Sequence, residues 1–233
     1  MTIKFINKFN IIATNVIIKK TIVSDNMDNR NKNKKPTVKK EENAVVLDYL
    51  SRGYVKTDMS KFGGKPIAQA IGTEQFTLLE LAPKNGVDLE IQDTVYIGKG
   101  KRDKIYRVLG KLDYENLTAT SRIEVDYAIR DIVEANEEKF VEFFNTADSV
   151  STRMHSLELI PGIGKKYMWD IIKAREQKPF ESFEDISQRL PTLADPAGMI
   201  VNRVKQELDT TTPRRGKNKY YIFTQPPRGS RKR

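Results

Sequence analysis

The run Ser156-Leu157-Glu158-Leu159-Ile160-Pro161-Gly162-Ile163-Gly164-Lys165-Lys166 constrains this chain most, because an apolar segment must turn at Pro-Gly-x-Gly before a helical pattern resumes through Ile171 and Ile172. Gly162 and Gly164 can adopt backbone angles closed to other residues and bare the main chain, while Ile163 is predicted to bury itself between the two flanking helices. The pattern is that of a helix-hairpin-helix. The second helix should begin near Lys165, so its first unpaired N–H groups and the positive end of its dipole face whatever lies over the turn. Lys165 and Lys166 oppose that dipole, a placement that suits a bound anion better than helix stability. Phosphate contact is therefore expected at Gly162, Ile163, Gly164, Lys165 and Lys166; the bland alternative is a plain turn between packed helices.

Downstream, Pro179 to Ile186 reads as a loop and a helix start, with Ser182 as N-cap, Asp185 three residues on, and a helix end near Leu190. A fourth helix is expected from about Ala197 to Leu208, with Met199, Ile200, Val204 and Leu208 on its apolar side. The approach to it, Leu193 to Gly198, lacks Gly-x-Gly. The second unit is accordingly expected to complete the core rather than to hold a second phosphate.

Cysteine is absent and His155 is the single histidine, which removes disulfides, thiol nucleophiles, Ser-His-Asp triads and Cys- or His-rich metal sites. His155 is expected on the helix leading into the hairpin, in a packing or capping role. A cytoplasmic protein without cofactor or metal is the expectation. Phe9 to Ile18 is too short and too interrupted for a membrane span or signal peptide, so no membrane partner is expected; Met27 offers an alternative start to the native chain.

Charge is segregated. The net charge of +10 divides into +8 over residues 1–40, +8 over residues 210–233 and −6 over the stretch between. Both ends read as flexible basic tails that displace counterions from a polyanion without reading its sequence. In the C-terminal one, Arg214, Arg215, Lys217 and Lys219 are the candidate contacts, and residues 217–224 form a possible docking strand.

Between residues 41 and 122 the pattern is β-like. Ala44 to Leu50 is a short apolar segment; Ile67–Ile71, Phe76–Leu81, Thr94–Ile97, Ile105–Leu109 and Leu117–Ile123 read as five short strands between Gly-bearing turns. They suggest a small OB-like β-barrel. The loop from Tyr96 to Arg107 carries Lys99, Lys101, Arg102, Lys104 and Arg107 with a tyrosine at each flank, as expected where bases stack and a backbone is tracked. Gly98-Lys99-Gly100-Lys101 lacks the spacing and the Ser/Thr of a Walker loop. Over residues 123–148, Val125, Ile129, Ile132 and Val133, then Phe140 and Phe144, give the stripes of connecting helices, with their acids on a solvated face.

The fold class expected is α+β: the barrel, then an all-helical tandem helix-hairpin-helix domain over residues 149–209, with basic tails at 1–40 and 210–233. On Val45 to Leu50, Phe76 to Leu81, Val95 to Gly100, Thr152 to His155, Pro161 to Lys166 and Phe180 to Ile186, the chain resembles an archaeal family called domain of unknown function 655. The resemblance implies an archaeal source, an OB-like domain before tandem hairpins, and nucleic-acid binding, with no known reaction. Met168 stands where many DNA-binding hairpins carry Ala. The function expected is non-enzymatic binding of RNA or DNA. A glycosylase-type repair enzyme using Glu184 or Asp185, and an adaptor docking on transcription or ribosome-assembly proteins, are the competing expectations.

Overall fold

The computed structural model describes residues 40–54, 64–209 and 220–226. Successive side chains of a strand face opposite ways, and in β1 (Asn43–Leu50) both sets are apolar: Ala44 and Val46 enter one core, Val45 and Leu47 another. The strand is interior to its sheet as well as covered on both faces. It pairs antiparallel with β2 (Ile67–Gly72) on one side and with β4 (Thr94–Tyr96) on the other. Addition of β3 (Leu78–Pro83) to β2 and of β5 (Ile105–Lys111) to β3, again antiparallel, gives the order β4-β1-β2-β3-β5. The sheet curls into a half-barrel. Across the β2–β3 ladder Ala68 faces Leu81 and Ala70 faces Leu79, small against large, so the inner core fills without strain.

The turn from β2 to β3 is held from below. The buried Glu41 carboxylate accepts the N–H groups of Glu74 at 2.8 Å and of Thr77 at 3.0 Å, with Gln75 N–H at 3.2 Å. It lies where a side chain on Gly72 would stand: a Cβ there would come within 2.1 Å of it. Phe76 takes a left-handed φ of 53°, costly for a bulky residue, and is offset by complete burial of its ring beside Phe140.

The described residues form five helices, the first of which packs against β1 and β2. In α1 (Ala119–Ala135), Val125, Ile129, Ile132 and Val133 are all buried as the stripe predicts. The expected strand over Leu117–Ile123 is not one: Thr118 accepts the Ser121 N–H at 3.0 Å and donates to Asp48 at 2.6 Å, starting the helix there. A cap signal outweighs a short apolar run. The fifth strand is instead β1. Beside this cap, fully buried Gln69 donates to Tyr54 Oη and to the Asn116 carbonyl and accepts the Thr118 N–H. Tyr54 in turn donates to Glu80 at 2.6 Å; burial and that bond push its phenol up to about 12.

Phe140 and Phe144 are buried on α2 (Glu137–Thr146). After α3 (Lys165–Gln177) come α4 (Phe183–Arg189), capped by Ser182 as expected, and α5 (Pro196–Leu208), capped by Asp195. Val45, Leu47, Ile71 and Leu78 of the sheet share one apolar core with α1 and α2, continuing through Leu157, Ile163, Ile171, Ile186, Ile200 and Val204.

The described part of the C-terminal segment docks, but not as a strand. On α5 a fully buried Arg203 pairs with Glu207 at 2.8 Å. The Glu207 carboxylate also accepts the N–H groups of Ile222, Phe223 and Thr224, and Arg203 donates to the Tyr220 carbonyl. Phe223 lies edge-on to Phe140 and Phe143, 5.5 and 5.1 Å away. A carboxylate replaces the sheet ladder as acceptor for residues 222–224; residues 217–219 of the expected strand lie outside the described residues.

Candidate nucleic-acid interface

Two short strands, β6 (Ser149–Ser151) and β7 (Met154–His155), form a hairpin ahead of the glycine turn. The chain then makes a single 3₁₀ turn, Ser156–Leu159, where sequence predicts an α-helix. His155 is the reason. Its extended backbone starts the turn, its Nδ1 accepts the Leu157 N–H at 3.1 Å, and Glu158 accepts the His155 N–H at 3.0 Å, a reciprocal cap with four residues left before the chain extends again at Ile160. The expected capping role of His155 holds, on a shorter element. Burial and the nearby Arg175 cation lower its pKa, against the opposing pull of Asp148 and Glu158.

The turn itself is built as the residue types require. Gly162 has φ +89°, Ile163 is buried with its N–H on the Ile160 carbonyl at 3.1 Å, and Gly164 stands as the N-cap of α3 without a side chain to offer. The first helical bond is Met168 N–H to Gly164 O, so the amides of Lys165, Lys166 and Tyr167 precede it. Among the helices of the described residues, α3 alone starts with neither a side-chain cap nor an acid in its first turn. Lys165 and Lys166 are exposed there. An open cleft of about 410 Å³ runs alongside, lined by Glu158 to Gly164, Arg203 and Gln206. Met168 is buried and packs into the core.

The start of α5 differs. Asp195 Oδ1 accepts the Gly198 N–H at 2.8 Å, and its other oxygen meets Arg130 at 3.2 Å, so a carboxylate already occupies the helix N-terminus.

In the β4–β5 loop, Tyr96 Oη accepts the Gly100 N–H at 3.0 Å and so closes the loop. Arg102 Nε donates to the Gly98 carbonyl at 2.9 Å, and Lys104 pairs with Asp93 at 2.6 Å, a bond that lowers the Asp93 pKa. Lys99, Lys101, Tyr106 and Arg107 are exposed. None of the loop residues lines the cleft at the glycine turn. Arg214, Arg215, Lys217 and Lys219 lie outside the described residues.

Glu184 and Asp185 sit in the first turn of α4. Burial acts to raise the Asp185 carboxyl, but the Glu181 N–H and Arg189 outweigh it and hold the group below the usual carboxylate range. Sequence reasoning missed Arg203, Gln206 and Glu207; the signal available was an Arg and a Glu four apart beside Ile200 and Val204, a charge pair on an apolar stripe. Among the described residues no group of three His, Asp or Glu is placed to hold a metal ion, and no helix is long and apolar enough to cross a membrane.

These features define a class: a mixed α+β protein in which a curled antiparallel sheet and five helices share a core and present an uncapped, lysine-headed helix after a glycine turn. The chain belongs to the family described as "Protein of unknown function (DUF655)", whose model matches residues 40–225. It is 45% identical over 198 residues to the uncharacterized protein MJ0038 of Methanocaldococcus jannaschii, covering 84% of this chain and 86% of that one. The crystal structure of Af1531 from Archaeoglobus fulgidus, also described by that family model, matches with a TM-score of 0.70 at 43% identity, over 79% of this chain and all of that one.

Proposed function

We propose that this protein is a non-enzymatic binder of RNA or DNA in which the Pro161–Lys166 turn and the head of α3 hold phosphates. One observation carries the reading. A helix that begins with free amides, no cap, no acid and two exposed lysines is unfavourable by itself and favourable beneath an anion. On this reading 149–209 is a helix-hairpin-helix unit whose second half, self-capped by Asp195, serves packing. The curled five-stranded sheet, with its first strand paired to both the second and the fourth, supports an OB-like description, and exposed Lys99, Lys101, Tyr106 and Arg107 suit contact with a strand. The basic ends, with Arg214, Arg215, Lys217 and Lys219, add salt-sensitive affinity. Glu184 accepts from the Gln188 side chain one turn on, and Asp185 accepts the Glu181 N–H and pairs with Arg189; both carboxylates being engaged in structural contacts favours binding over glycosylase chemistry.

A second reading, docking to another protein, draws on exposed Ile123 and Tyr127, one turn apart on α1. The deciding experiment is titration of Lys165→Glu/Lys166→Glu against labelled RNA and DNA at several salt concentrations. Weaker binding with a shallower log–log salt slope, by roughly 0.7–0.9 for each phosphate no longer neutralised, is expected. Binding equal to the parent's on every probe sinks the phosphate reading and leaves protein docking the better one.

A further inference from the structure

The chain has one tryptophan, and it is on the surface: Trp169 of α3 is 56% exposed and, among the described residues, its indole makes no ring contact or hydrogen bond. Tryptophan is seldom left this open, since removing so large an apolar ring from water is worth more than for any other side chain. Its neighbours say what would cover it. Lys165 and Lys173 lie four residues to either side, hence on the same helical face, and both are exposed; Lys166 is exposed at the helix head. Glu176, a turn beyond Lys173, is the acid at the far end of this face. The ring stands about 6 Å along the axis from Lys165 at 1.5 Å per residue. An apolar partner protein would find an aromatic ring with exposed lysines a turn before and a turn after it, whereas a polyanion with flat unsaturated rings meets both features at once.

Resting on the phosphate reading of the glycine turn, we infer that Trp169 is a base-stacking platform, and that the ligand at α3 is therefore a nucleic acid with an unpaired base next to the bound phosphate. The lysines hold the backbone on either side and the indole face receives the base. Stacking tolerates any base, because each has a π-face. A blunt duplex keeps its bases stacked on one another and has none to offer, so it engages the lysines and the helix amides alone.

The test uses the full chain with labelled oligothymidylate, oligouridylate and a blunt DNA duplex of equal length. Two readouts run together: anisotropy of the label, and emission of Trp169, which as the sole tryptophan reports on this face without substitution. Quenching by the single strands is expected, with little change on the duplex. Trp169→Ala should weaken single-strand binding about 10- to 100-fold and leave duplex binding within about threefold; Trp169→Phe should recover most of the loss. Thermal melting of both variants should match the parent, since the ring is exposed. If the single strands bind by anisotropy while Trp169 emission is unmoved and Trp169→Ala binds as the parent does, the platform is wrong and the phosphate reading survives. Equal loss on duplex and single strand also overturns it. Absence of binding to all three probes removes the phosphate reading and the platform with it. Binding of a protein that Trp169→Ala abolishes, with nucleic acid unaffected, assigns this face to protein docking instead.

Discussion

At Glu41 one side chain fixes a turn that sequence alone leaves loose. Its buried carboxylate serves three amides of the β2–β3 turn, so Glu41→Ala leaves polar groups unsatisfied and should cost about 1–3 kcal/mol in urea unfolding. Gly72→Ala should do comparable damage, because the new Cβ takes the carboxylate's place. Once Glu41 is truncated that clash is gone, so the double variant should be clearly less destabilised than the sum of the two single changes; simple additivity would refute the arrangement. His155 makes a second prediction at this scale. Its folded pKa lies below the ordinary value near 6.5 because burial and Arg175 disfavour the cation, and protonation would also forfeit the Leu157 N–H bond. As pH falls through about 6.5 the unfolded chain takes up a proton that the folded chain still refuses. The stability is thus present above the ordinary histidine pKa and is lost as pH drops toward the folded value. Melting temperature should decline between about pH 7.5 and 5.5, and His155→Asn, an able N-cap without that titration, should flatten the decline. A decline unchanged in His155→Asn would place its cause elsewhere.

Among the elements, α3 and the β4–β5 loop are expected to divide the binding. On the proposed reading the free backbone amides at α3 would serve a phosphate on any strand, so Lys165→Glu/Lys166→Glu should weaken duplex and single-strand binding alike. Lys99→Glu/Lys101→Glu should act mainly on single strands, and it is a cleaner test than any change at Arg102, whose Nε holds the loop through Gly98. Equal effects of the two double variants on both strand types would deny the division. How far these elements could be read in the sequence depended on where the signal was local. Ser182 and the Val125–Val133 stripe announce their helices, and Gly162 needs only its own φ to make the turn. Leu117–Ile123 misleads because its apolar ends suggest a strand while the deciding contacts, Thr118 with Ser121 and with Asp48, include one across 70 residues. The 3₁₀ turn before Pro161 was hidden in another way: a capping role for His155 is legible, but not that the element it caps ends after four residues. The anchorage of the C-terminal segment on Glu207 also joins residues far apart in the chain, and hydrophobic periodicity carries no trace of it.

On the scale of the whole molecule, that anchorage returns the chain to α5. Glu207 bears the buried Arg203 cation and three amides at once, so Glu207→Ala strands a buried charge and should destabilise by about 3–5 kcal/mol, more than Glu41→Ala. A loss no larger than that of an exposed acid would deny the buried pair. The same anchorage bears on how to test the charge segregation, because cutting at residue 210 would remove Phe223 from Phe140 and Phe143 and confound binding with folding. Removing residues 1–39 and 227–233, and replacing Arg214, Arg215, Lys217 and Lys219 with Gln, keeps residues 220–226 in place. Residues 41–209 then carry a net charge of −6 and attract a polyanion only through local patches such as Lys165 and Lys166. If the ends contact phosphates, the log–log salt slope should flatten by roughly 0.7–0.9 for each phosphate they neutralise in the parent, while the preference between duplex and single strand, set by α3 and the loop, should persist. Melting should match the parent within error. An unchanged slope would mean that the basic ends serve something other than a polyanion; an altered strand preference would mean that they do more than add charge.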